Sequence, residues 1–318
     1  MKVIDIYRRA VKKGIKEDPR SPGEINEFLG KYRKEYRLSR GMFKDCFDNE
    51  SLLNPYADTR ILFGNGSEIV RTVMVGIDID VPELLLADRL REKGTRIDLV
   101  ISHHPSGKAL ARLDQVMPIQ PGIWEDFGFR KEVAKGIMSK RINEVQRGLS
   151  GGNHSRAGDA ARLLGIPFMC VHTPADNCVH SYLQSLFDKK APVRLQNVID
   201  LLMGIPEYKH AICATGIAPG ILIGGAKDKA GKILVDMTGG AQGPDSIYSR
   251  LSQAGVGTIV GMHLKESGYK AASSEFINYV VAGHISSDNL GMNLLFDEID
   301  GKRELQFIEC SGFKRFKR

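Results

Sequence analysis

Two adjacent histidines, His103 and His104, follow the run Asp98-Leu99-Val100-Ile101-Ser102, and Pro105 ends the extended segment. A second apolar run, Pro167 to Val171, leads into His172-Thr173-Pro174-Ala175-Asp176, and the run ending Val280-Val281-Ala282 leads into Gly283-His284, with Asp288 four residues beyond His284. Imidazole with carboxylate is a donor set for zinc, iron, manganese, nickel or cobalt rather than for calcium. In a helix starting near Gly283, His284 and Asp288 lie on one face, one turn apart, which is chelating geometry. His103 and His104 would diverge in a regular strand. Where the strand gives way to a turn, each can face a different ion of a pair about 3.5–4 Å apart, and a carboxylate such as Asp176 is the natural bridge. The residues expected to converge are therefore His103, His104, Asp176, His284 and Asp288, with His172 either an orienting donor behind them or structural. His154, His180 and His263 read as structural or pocket-lining, and His210 as structural.

Such convergence needs elements that bring distant positions to one edge. From Thr72 onward, short β-branched runs alternate with helical stretches, the pattern of strands joined by crossover helices in a largely parallel sheet. Strands are predicted at 72–77, 97–101, 167–171, 211–214, 233–236, 258–260 and 277–282, with helices near 81–94, 127–147, 155–164, 198–203 and 246–254. In an open parallel sheet, ligands gather at the carboxyl ends of strands, which is where the His and Asp residues fall. Residues 1–66 read as a helical N-terminal extension, 67–190 as a first α/β unit carrying the His-His motif, and 191–318 as a second carrying the His/Asp motif. The glycine-rich loops 215–220 and 238–240 read as tight turns, with anion recognition by backbone N–H groups as the alternative.

The run Asp98–Pro105, the segment His172-Thr173-Pro174-Ala175-Asp176 and the final Gly283-His284 with its acid four residues on resemble the NIF-three-like proteins, also termed GTP cyclohydrolase I type 2 homologues. The resemblance covers most of residues 70–300. It implies the NIF-three-like α/β fold, a toroidal homohexamer, and a site for two divalent metal ions on His103, His104, Asp176, His284 and Asp288. Position 288 is usually Glu in that family, and the shorter Asp alters reach. The family's Thr-Gly-Glu segment with following histidines is replaced here by Met237-Thr238-Gly239-Gly240-Ala241-Gln242. Residues 1–66 and the insertion from about 108 to 153 lie outside the familiar pattern.

Bulk properties narrow the function. A chain of 318 residues with 42% hydrophobic content can bury two substantial cores. No apolar run approaches the roughly 18 residues of a membrane span, and the N-terminus has no leader pattern, so a soluble cytoplasmic protein is expected. The five cysteines form no CxxC pair, which fits a reducing compartment. A net charge of +7 is spread over scattered Lys and Arg, and aromatic content is only 7%, so neither nucleic acid nor membrane is an expected partner. The expected activity is metal-dependent hydrolysis of a small phosphorylated or nucleotide-like substrate, with GTP cyclohydrolase chemistry as a narrower version. The alternative is a non-catalytic metal-binding or regulatory scaffold.

Overall fold

The computed structural model describes residues 1–301 and 304–318, and two sheets organise it. The first contains β1 (Arg60–Phe63), β2 (Thr72–Gly76), β3 (Leu99–Ser102), β4 (Phe168–Cys170) and β9 (Gln306–Glu309) in the order β1-β4-β3-β2-β9. The second contains β5 (Gly220–Ile223), β6 (Lys232–Asp236), β7 (Val256–Gly261) and β8 (Asn278–Val281) in the order β5-β8-β7-β6. All neighbours are parallel except β1 on β4 and β5 on β8. Without β9 the two sheets have the same order and the same antiparallel edge, so the repeat between the halves lies in topology.

Alternation along these strands builds two cores per sheet. Val73, Val75, Leu99, Ile101 and Met169 face the helices Val3–Lys16 and His284–Ile299. Met74, Val100 and Phe168 face the opposite way, toward Val81–Glu92 and Arg156–Leu164. In the second sheet, Val235, Val260 and Val280 pack on Thr173–Lys190 and Leu195–Met203. Leu234, Ile259 and Tyr279 cover a cluster that takes Met117, Ile123, Trp124 and Met138 from the 108–153 insertion.

The helices Thr173–Lys190 and His284–Ile299 feed both cores: Ala175, Cys178, Met292 and Leu295 go to the first, and Val179, Leu183 and Leu290 to the second. Gly291 lets the two helices touch, because a Cβ there would stand 2.5 Å from the Ala175 carbonyl oxygen. That contact brings their N-terminal halves, which carry Asp176 and Asp288, to the same place.

Three expectations need correction. Residues 211–214 are not a strand but part of the helix Pro206–Thr215. Proline in its first turn and the left-handed Gly216 at its end bracket that helix, and a four-residue apolar run has no period to distinguish the two structures. Residues 1–66 are not a purely helical appendage, since Val3, Ile6, Tyr7, Ala10 and Val11 lie in the first sheet's core and Arg60–Phe63 is its edge strand. The boundary drawn at 190 does not enclose a separate C-terminal sheet, because β9 returns to pair with β2. Among the described residues, no helix is long and apolar enough to cross a membrane.

Candidate metal centre

His103 and His104 follow β3, and their backbone N–H groups donate to the consecutive carbonyls of Gly76 and Ile77, both at 2.9 Å. The rings end up on the same side, centroids 5.1 Å apart. From β4 comes His172, the N-cap of Thr173–Lys190, with Asp176 in that helix's first turn. From β8 comes Gly283, whose φ of 110° lets the chain turn abruptly into the helix carrying His284 and Asp288.

Each of three imidazoles has its Nδ1 held from outside by a carbonyl or carboxylate oxygen. His103 Nδ1 lies 3.1 Å from the Val171 carbonyl, His104 Nδ1 2.7 Å from Asp78 Oδ1, and His172 Nδ1 2.8 Å from Asp58 Oδ2. In the neutral rings the proton therefore sits on Nδ1, and Nε2 offers its lone pair inward.

Those inward atoms meet carboxylates. His103 Nε2 is 3.4 Å from Asp176 Oδ1 and 3.5 Å from Asp288 Oδ1, while His104 Nε2 and His284 Nε2 are 3.3 and 3.4 Å from Asp288 Oδ2. His172 Nε2 is 3.7 Å from Asp176 Oδ2. Two donors each about 2.1 Å from one tetrahedral ion stand about 3.4 Å apart, so the spacing suits ligands of a shared cation. Buried polar atoms normally make hydrogen bonds, yet among the described residues His103 Nε2 and both Asp288 carboxylate oxygens make only these long contacts. Three groups can hold an ion: His103, Asp176 and Asp288; His104, His284 and Asp288; and His103, His104 and His172. The carboxylate common to two of these groups is Asp288, not Asp176. Both carboxylates span more than one ring: Asp288 meets His103 through Oδ1 and His104 and His284 through Oδ2, while Asp176 meets His103 through Oδ1 and His172 through Oδ2.

Electrostatics show how much positive charge the cluster requires. Burial opposes charge on His103, but the Asp288 and Asp176 carboxylates outweigh it and raise its pKa to about 10. Asp288, despite burial, is held well below the usual carboxylate range by His103, His104 and His284. Burial likewise disfavours a charged His172, and Asp176 and Asp58 reverse that shift upward.

All five predicted residues come together with His172, while Asp58 and Asp78 escaped sequence reasoning. Asp78 stands two residues past β2, close to the strand-end signal that marked His103; Asp58 lies in the segment read as helical and carried no signal. His263 lines the cleft beside the cluster, its ring 5.0 Å from that of His284. His154 caps the preceding helix through the Leu149 carbonyl, His180 is buried away from the cluster, and His210 stands beside Phe316.

Paired α/β sheets with a His/Asp cluster at their strand ends define an α/β protein with a candidate metal centre. No family model and no curated protein matches the chain. Among solved structures, a NIF3 superfamily protein from Sphaerobacter thermophilus is 23% identical, with a TM-score of 0.70 over 90% of this chain and 98% of that one. HcgD from Methanocaldococcus jannaschii, in its reduced form, is 14% identical, with a TM-score of 0.51 over 84% and 94%. The chain has the NIF3-like fold.

Proposed function

We propose that the chain is a dinuclear metal hydrolase acting on a small molecule. The supporting observation is Asp288, whose two buried oxygens make no short hydrogen bond among the described residues and which belongs to two donor groups at once. On this reading His103, Asp176 and Asp288 hold one divalent ion and His104, His284 and Asp288 the other, with His172 in reserve beside Asp176. Zinc, iron, manganese, nickel and cobalt all suit the donors. When bound, the two ions supply Lewis acidity and lower the pKa of water toward neutrality. The protein's own part is orientation: Val171, Asp78 and Asp58 fix three rings, and burial of His103 and Asp288 keeps bulk water from competing with the ligands.

Elemental analysis of the purified protein is the test, with two divalent ions per chain expected and one or none overturning the reading. Metal-dependent, saturable hydrolysis in a substrate screen separates an enzyme from a metal-storing scaffold. The resemblance also supports self-association into a ring in the cytoplasm. A sedimentation mass six times 35.2 kDa is expected, and a 35.2 kDa species at micromolar concentration would count against it.

A further inference from the structure

The cleft beside the His/Asp cluster has an opposite wall with chemistry of its own. Asp236 ends β6 and lines the cleft together with Asp176, His284 and Asp288. It forms no side-chain hydrogen bond or ion pair among the described residues, and burial alone raises its pKa to about 6. Gln242 lines the same wall, its buried amide beside the Tyr248 hydroxyl and without a well-aligned hydrogen bond among the described residues. Gln120 reaches in from the insertion, where its Nε2 donates to the Ala241 carbonyl at 2.6 Å and the Gly239 carbonyl at 3.3 Å. Those carbonyls fix the amide's orientation, so Oε1 is left as a buried acceptor without a donor. Thr238 is already spent, donating its hydroxyl to Asn177 Oδ1 at 2.6 Å.

Among the described residues no Lys or Arg lines this cleft, although the chain has 45 of them. On this wall a phosphate would find an extra carboxylate and surplus acceptors instead of a cationic fork, so its charge would be met only by the ions of the proposed centre. The phosphorylated substrate expected from sequence finds no basic side chain on this wall among the described residues. The unsatisfied groups are mostly acceptors, with one carboxamide N–H₂, and they complement a molecule that offers N–H groups and a carbonyl.

We infer that the cleft takes a neutral amide, open-chain or cyclic, whose N–H groups are received by Asp236 and Gln120 while Gln242 donates to a carbonyl, rather than a phosphate ester. The inference rests on the hydrolase reading and specifies its substrate class. Hydrolysis then adds water across the C–N bond: the hydroxyl oxygen goes to the carbonyl carbon and the proton to the leaving nitrogen, with no redox partner.

Calorimetric titration of the purified protein at pH 7.5 tests this, with dihydrouracil, hydantoin and 2-pyrrolidinone compared against inorganic phosphate and p-nitrophenyl phosphate. At least one amide should bind tenfold tighter than either phosphate, and Asp236→Asn should weaken that binding at least tenfold with metal content unchanged. Gln242→Met should weaken it too, which covers the case of a misfolded Asp236 variant. Tighter binding of a phosphate, binding of no amide, or indifference to both substitutions would overturn the inference. Amide binding by protein that carries no metal would instead overturn the hydrolase reading alone.

Discussion

Asp58 and His172 meet in the interior: Asp58 Oδ2 accepts the His172 Nδ1 proton at 2.8 Å, and the Asp58 side chain is 0% exposed. The carboxylate sits behind the ring, so it orients Nε2 toward Asp176. Carboxylates that back metal-binding histidines typically change affinity by about 10–100-fold when removed. Asp58→Asn should lower metal affinity by about that factor while leaving the circular-dichroism spectrum intact. Unchanged affinity would show that His172 stands outside the metal's reach.

Asp288→Ala should empty both metal positions, whereas Asp176→Ala should empty one. Two cations close together repel strongly unless a shared anion lies between them, and Asp288 is the carboxylate common to two donor groups. Metal stoichiometry of the two variants decides the matter: a greater loss from Asp176→Ala would return the bridge to Asp176.

Metal uptake should be linked to pH through His103. Its imidazole, raised to about 10, carries a proton across the neutral range, and a cation must displace that proton to reach Nε2. Apparent affinity should therefore rise about tenfold per pH unit between roughly pH 6 and 9. Chelator competition at three pH values reads the slope, and a flat response would mean that His103 is already neutral.

His180 predicts a different pH dependence, in stability. It is buried, and burial lowers its pKa from 6.5 to about 4, so between those values the unfolded chain takes up a proton that the folded chain does not. Its contribution is fully present above pH 6.5 and is lost as pH falls toward 4; between pH 7.5 and 5 the loss is about 2 kcal/mol. Urea denaturation at the two pH values should show His180→Phe losing less stability than the natural chain. Equal losses would place the sensitivity in the carboxylates.

How far the site could be read from sequence depends on where its residues fall. His103, Asp176 and His284 follow apolar runs long enough to read as strands, and a parallel sheet leaves little choice about where strand ends go. The spacing of His284 and Asp288 carried its own geometry. Arg60–Phe63 and Gln306–Glu309 are four-residue edge strands, only partly buried, and sequences so short and mixed hold no period. Asp58 is recognisable only once the fold has set it behind His172. The approach of Asp288 to His103 and Asp176 depends on the Gly291–Ala175 helix contact, a matter of ångströms that spacing does not encode.

The return of β9 to the first sheet ties the two halves of the molecule into one knot of mutual dependence. His103 belongs to the first sheet, while His284 and Asp288 follow β8 of the second and precede the strand that closes the first. The His/Asp cluster thus draws on both sheets, and the chain returns to the first sheet after supplying its last members. A bound ion would act as a seal on complete folding: binding the native chain and not the unfolded one, it adds about 4 kcal/mol of stability at a thousand times its dissociation constant. Partial or nicked chains would be left without that protection.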